Sequence, residues 1–219
     1  MPPPMFSPFT FTTELVFTII AVIFCALIYF KTKDIYDLTK YKGIKYFRNA
    51  FLYFGLSYII RFLFSLFMLS MIAFDVFIPR YRIMPFFILI LGYFSTAGIL
   101  YLVFSSLWKK IKAPLIAIFI HGTAIILSLA SFFTRSHIIL IYLQTALLVF
   151  AVVLSILTHK AKRISGVRIL YFLIFALWLI NLWILDRGRV FSFEIKISFQ
   201  FISLVVFFTI YHKITKWVT

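Results

Sequence analysis

Arg61 stands in the run SYIIRFLFSLF, far from any other charge in its segment. An isolated arginine at the centre of a bilayer costs about 3 kcal/mol on insertion scales, so a guanidinium in such a run needs a partner or water. Ser57 and Ser65 lie four residues before and after it, on the same helical face. The carboxylate best suited to neutralise it is Glu14, with Glu194 and Asp186 as alternatives. A second cation, Lys196, lies in FSFEIKISFQF, where Ser192, Lys196, Gln200 and Ser203 fall along one helical face. Glu194 is two residues from Lys196, about 200° around the helix, so the two do not pair readily.

At 1.5 Å per residue, Arg61 lies about 20 Å above Arg48, and Asn181, Gln200 and Gln144 lie about 18–22 Å above the same border. Lys196, Glu14 and Glu194 lie about 24–27 Å above it. These groups form one polar layer in the outer half of the chain's apolar segments. Arg61, Lys196, Glu14, Asn181, Gln200, Gln144 and Ser192 are therefore the expected lining of an outward-facing pocket. Its two cations suit a small polar or anionic ligand, and an Arg61–Glu14 ion pair is expected within it. The competing expectation is that the layer is architectural and fixes helix register.

Catalytic chemistry finds no support. The chain contains no GxxxxGK[ST], HExxH or GxSxG pattern and no paired acid–base constellation, so an enzyme is not expected. Cys25 is the single cysteine, which excludes an intrachain disulfide and a cysteine-based metal site. His121 is the deep histidine; a b-type haem needs two facing histidines at matched depth, so a hydrogen-bonded core residue is expected. No metal and no cofactor are expected.

The segments that hold these residues follow from composition. Hydrophobic residues make up 64% of the 219, 30 of them are Phe, and mean hydropathy is +1.09. No soluble domain of this size can bury that much apolar surface, so the chain reads as an all-α polytopic membrane protein. About twenty apolar residues cross a bilayer. That length gives seven spans in a single domain over 1–219: 12–30, 47–73, 83–107, 113–133, 137–157, 167–186 and 191–212. The three-residue link between the fourth and fifth predicts a tight helical hairpin. The N-terminus lacks the basic region of a signal peptide, so the first span is expected to be retained.

The net charge of +16 sits in short loops, which points to membrane topology and anionic headgroups and away from nucleic acid. Cations between Lys31 and Arg48, Lys109 and Lys112, Lys160 and Arg168, and Lys213 and Lys216 number fifteen, against five at Arg80, Arg82, Arg135, Arg187 and Arg189. The imbalance places the N-terminus outside and the C-terminus in the cytoplasm, in the cell membrane. Ile35, Leu38, Tyr41 and Ile44 recur every three residues in 31–46, which suits a short helix lying on the inner leaflet. Lys40, Lys42, Lys45, Lys109, Lys110 and Arg163 form the expected cytoplasmic surface for lipid headgroups or a protein partner.

Seven helices in this orientation resemble three groups in architecture alone. Microbial rhodopsins would make Lys196 a retinal anchor, but the acidic residue expected four positions earlier is Ser192, and no carboxylate follows Arg82 as a counterion. Trp178 and Trp183 differ in spacing from the pair that sandwiches retinal. Sugar transporters of the SWEET type carry mid-helix prolines and a repeat that this chain lacks. G-protein-coupled receptors carry DRY and NPxxY, both missing here. No residue roles transfer. The expected function is thus a receptor or sensor signalling through a partner. The alternative is a structural or accessory subunit of a larger membrane complex, followed by a small-solute transporter with a path past His121 and a retinal photoreceptor at Lys196.

Overall fold

A computed structural model describes residues 8–75, 80–107, 113–134, 137–158, 165–185 and 193–216. Among them are seven α-helices: α1 (Pro8–Thr39), α2 (Lys42–Ala73), α3 (Arg80–Leu107), α4 (Ala113–Phe133), α5 (His137–Thr158), α6 (Ser165–Leu185) and α7 (Phe193–Thr215). Helices α1, α2, α3, α4 and α7 are long and apolar enough to cross a membrane. The described apolar stretches of α5 and α6, Ile138–Leu154 and Ile169–Leu182, are shorter. The fold is therefore all-helical and of membrane type.

Residues 31–46 depart from expectation. They form no separate surface helix; α1 and α2, each 32 residues long, run through them and meet in a turn at Lys40–Tyr41. A period of three apolar residues reads the same in a free amphipathic helix and in two long helices packed on each other. Lys40 closes α1 in the left-handed region, with φ 52°, and its N–H donates to the carbonyl of Tyr36 at 2.7 Å. This is the helix-ending geometry that glycine usually supplies. At about 48 Å each, α1 and α2 outreach a hydrocarbon core of about 30 Å.

The helices pack as a ring in the order α1, α2, α3, α5, α6, α7, with α7 returning to α1. Helix α4 stands outside it. Despite their short link, α4 and α5 touch little, and α4 packs chiefly on α3. The reason lies on α3, whose Gly92, Ser95, Thr96, Ala97 and Gly98 let three neighbours approach closely. A Cβ built on Gly98 would come within 2.5 Å of the Phe54 ring, and one on Gly92 within 3.3 Å of Leu140 and Ser128. Helices α2 and α6 face each other across the ring through large rings. Phe54 stacks on Trp178 at 4.3 Å, while Tyr58 meets Trp178 and Phe207 edge-on at 6.2 and 5.9 Å.

Gly98→Ala should therefore lower stability by about 1–3 kcal/mol, the usual cost of forcing extra volume into a packed core. Gly122→Ala is the control, because nothing lies within 4 Å of its added Cβ. Thermal unfolding of the purified protein in detergent checks both; Gly122→Ala should leave Tm unchanged or raise it, since alanine favours the helix.

Candidate functional site

Helices α1 and α2 run antiparallel from their turn, so the depth of Arg61 on α2 matches the outer half of α1. There its Nη2 donates to Glu14 Oε1 at 3.0 Å. The two sides of this pair differ in setting: the Arg61 side chain is 4% exposed and that of Glu14 is 37% exposed. The guanidinium also lies 5.9 Å from the ring centre of Phe17 and 5.8 Å from that of Tyr58. A buried cation thus has one charged partner and two aromatic faces, and its counterion reaches towards the surface.

Inward of Arg61 is a cavity of about 20 Å³, lined by residues of α2, α3, α5 and α6 including Ser57, Tyr58, Arg61, Gln144, Trp178 and Asn181. That volume holds about one or two ordered waters. Two amides stand at its wall. Asn181 Nδ2 donates to the Leu177 carbonyl at 2.7 Å and to Ser203 Oγ at 2.8 Å. Because a carbonyl accepts only, this bond sets the amide's orientation and leaves Oδ1 as an acceptor. Gln144 Nε2 donates to Ser95 Oγ at 2.5 Å and Thr96 Oγ1 at 3.0 Å. Both partners are hydroxyls, which also donate, so Gln144 can turn either end of its amide to the cavity.

Four buried polar atoms of the lining residues make no hydrogen bond of good geometry, namely Tyr58 OH, Gln144 Oε1, Trp178 Nε1 and Asn181 Oδ1, although the Tyr58 hydroxyl stands beside the Asn181 amide and interacts with it. Six such side-chain atoms occur among the described residues, and four of them belong to residues around this one space. Each orphan costs about 1–3 kcal/mol when left unpaired. The residues offer donors, acceptors and one cation, but the surface that faces the space is almost wholly apolar, so their polar atoms lie within its walls and meet a guest only when side chains turn towards it.

The expected site residues divide accordingly. Arg61, Asn181 and Gln144 line the cavity, and Glu14 meets Arg61 at its outer side. Lys196 and Gln200 are half-buried on α7 and are not part of that lining, while Ser203, one turn further along, reaches Asn181. Ser192 lies outside the described residues. Tyr58 and Trp178 were not expected as site residues; their aromatic types read as core, and only the missing partners expose their polar ends. Lys40, Lys42 and Lys45 are exposed at the α1–α2 turn, and Lys109, Lys110 and Arg163 lie outside the described residues.

His121 belongs elsewhere. It sits between α3 and α4, where the Tyr93 hydroxyl meets Nδ1 at 2.9 Å and the Tyr101 hydroxyl meets Nε2 at 3.2 Å. A neutral imidazole offers one donor and one acceptor, so two phenols satisfy it completely. Among the described residues, His121 is a hydrogen-bonded packing residue and does not line the cavity.

No protein-family model matches the chain, and no solved structure matches it. An uncharacterized protein of Archaeoglobus fulgidus is 31% identical over 223 residues, spanning 96% of this chain and 92% of that protein.

Removing either member of the Arg61–Glu14 pair should have unequal effects. Glu14→Gln leaves a buried cation uncompensated, whereas Arg61→Met leaves a carboxylate that water can reach. Glu14→Gln should therefore destabilise more, by about 2–3 kcal/mol, and the double variant should lose less than the sum of the singles. Thermal or denaturant unfolding of the four proteins measures the coupling; additive losses would show that the charges act independently.

Proposed function

The chain belongs to the same family as the Archaeoglobus fulgidus protein; from its own cavity and charge pattern we propose a seven-span receptor or sensor whose cavity takes a small polar or anionic ligand. In this reading all seven helices cross the cell membrane, with the N-terminus outside and the C-terminus in the cytoplasm, as the loop cations require. The ligand enters from the outer side, past Glu14. A protein partner meets the basic cytoplasmic surface that includes Lys40, Lys42 and Lys45. No cofactor and no nucleic acid take part.

One observation carries the reading: four unpartnered buried polar atoms and the Arg61 cation surround a single cavity. Polar groups that serve only as interhelical glue satisfy one another, as Asn181 does with Ser203. Groups left unpaired around one space are placed for something that enters it. The present volume fits water or a single ion; a larger ligand requires the ring to widen. The lightest seam in that ring is between α5 and α6, which carry Gln144 and Asn181.

The densely packed aromatic centre around Phe54, Tyr58, Trp178 and Phe207 favours the competing reading, an accessory subunit of a larger membrane complex. The transporter reading gains nothing from His121, which lies away from the cavity.

Purification from native membranes, followed by mass spectrometry of small molecules and proteins, discriminates between these. The receptor reading expects a small polar or anionic compound retained by the wild type and depleted at least about tenfold by Gln144→Leu, which fills the cavity with hydrocarbon. Stoichiometric membrane partners, with no compound that responds to Gln144→Leu, would replace it with the subunit reading.

A further inference from the structure

We infer that Arg48 and the inner ends of α1 and α2 form a binding site for the phosphate of an anionic phospholipid headgroup. The site is separate from the Arg61 cavity and draws on different observations. Tyr29 and Tyr36 lie two turns apart on one face of α1, and the Arg48 guanidinium of α2 lies 5.3 and 5.5 Å from their ring centres. Two rings hold the cation in place and the side chain is half-buried; its Nε is enclosed without a hydrogen-bond partner, which leaves the Nη groups as the donors a ligand can reach. Among the described residues Arg48 makes no ion pair. A guanidinium fixed between aromatic faces, with donor capacity unspent, is preorganised for a phosphate oxygen.

Position selects the source of that phosphate. Arg48 lies seven residues beyond the Tyr41 end of the turn, about 11 Å along α2, and Arg61 lies about 20 Å further. An apolar run separates Arg48 from Arg61, whereas charged residues crowd the turn side. Arg48 therefore stands where hydrocarbon gives way to headgroups. Lys33, Lys42 and Lys45 are exposed at the same end, which raises the local concentration of anionic lipid. The carboxylates nearby do not cancel this: Asp37 is engaged by Lys40 at 3.6 Å, and Asp34 is exposed.

Thermal unfolding of the full chain in lipid nanodiscs tests the site. Discs containing phosphatidylglycerol should raise Tm by about 5 °C over discs of phosphatidylcholine alone, as expected for a well-occupied site. Arg48→Gln should lose most of that rise while unfolding normally in phosphatidylcholine, and Lys40→Gln with Lys42→Gln should keep most of it. Tyr36→Leu, which retains the cation but removes one ring, should lose about half, and it carries the test if Arg48→Gln does not fold. An undiminished rise in both Arg48→Gln and Tyr36→Leu would overturn the proposal, as would a rise abolished by the lysine pair. A rise of equal size from inorganic phosphate added to phosphatidylcholine discs would assign the site to a free anion and overturn the lipid.

Discussion

A guanidinium surrounded by hydrocarbon has to be neutralised where it stands, and much of this bundle is arranged around that need at Arg61. The cation is buried on α2, and Glu14 meets it from α1 at 3.0 Å. The two rings beside it, Phe17 and Tyr58, come from the same two helices. The pair therefore helps fix how α1 lies against α2, and among the described residues these two helices form the longest packed hairpin. The rest of the polar layer lies inward of Arg61, where low dielectric makes each unpaired group costly and each paired one strong.

The cavity exists because the neighbours of Arg61 differ in size. Small residues on α3 draw α2, α4 and α5 close, and the Phe54 ring nearly fills the space over Gly98. On the opposite side, α2 and α6 are kept apart by stacked aromatic rings. Between the tight α3 contacts and the aromatic spacers a gap of about 20 Å³ is left. Its walls carry Tyr58, Gln144, Trp178 and Asn181, each with a polar atom that makes no hydrogen bond of good geometry, the nearest approach being that of the Tyr58 hydroxyl to the Asn181 amide. Packing makes the space and lines it with apolar surface, and the unmet polar atoms stand just behind that lining.

Much of the polar layer is legible in the sequence, because charges and amides in apolar runs are conspicuous. Arg61, Glu14, Gln144 and Asn181 all stand out in this way. Tyr58 and Trp178 do not, since aromatic residues are common throughout this chain and their polar ends matter only once burial removes water. Lys196 and Gln200 share the helical face of Ser203, yet only Ser203 reaches the Asn181 amide; a face is readable from spacing, but the level at which another helix meets it is not. The link between α4 and α5 suggests a hairpin, but the small residues of α3 offer a closer surface and win α4. Apolar residues at 35, 38, 41 and 44 fit a surface helix or two continuing helices equally well, and contact between α1 and α2 decides for the second.

The central claim is that the space bounded by Tyr58, Gln144, Trp178 and Asn181 is a polar site with an occupant. The most direct measurement is an experimental density map of the membrane-embedded protein at a resolution that shows ordered water. The account predicts density inside the cavity within hydrogen-bond distance of at least two of Tyr58 OH, Gln144 Oε1, Trp178 Nε1 and Asn181 Oδ1. An empty cavity, or side chains turned to satisfy one another with the space closed, would contradict it.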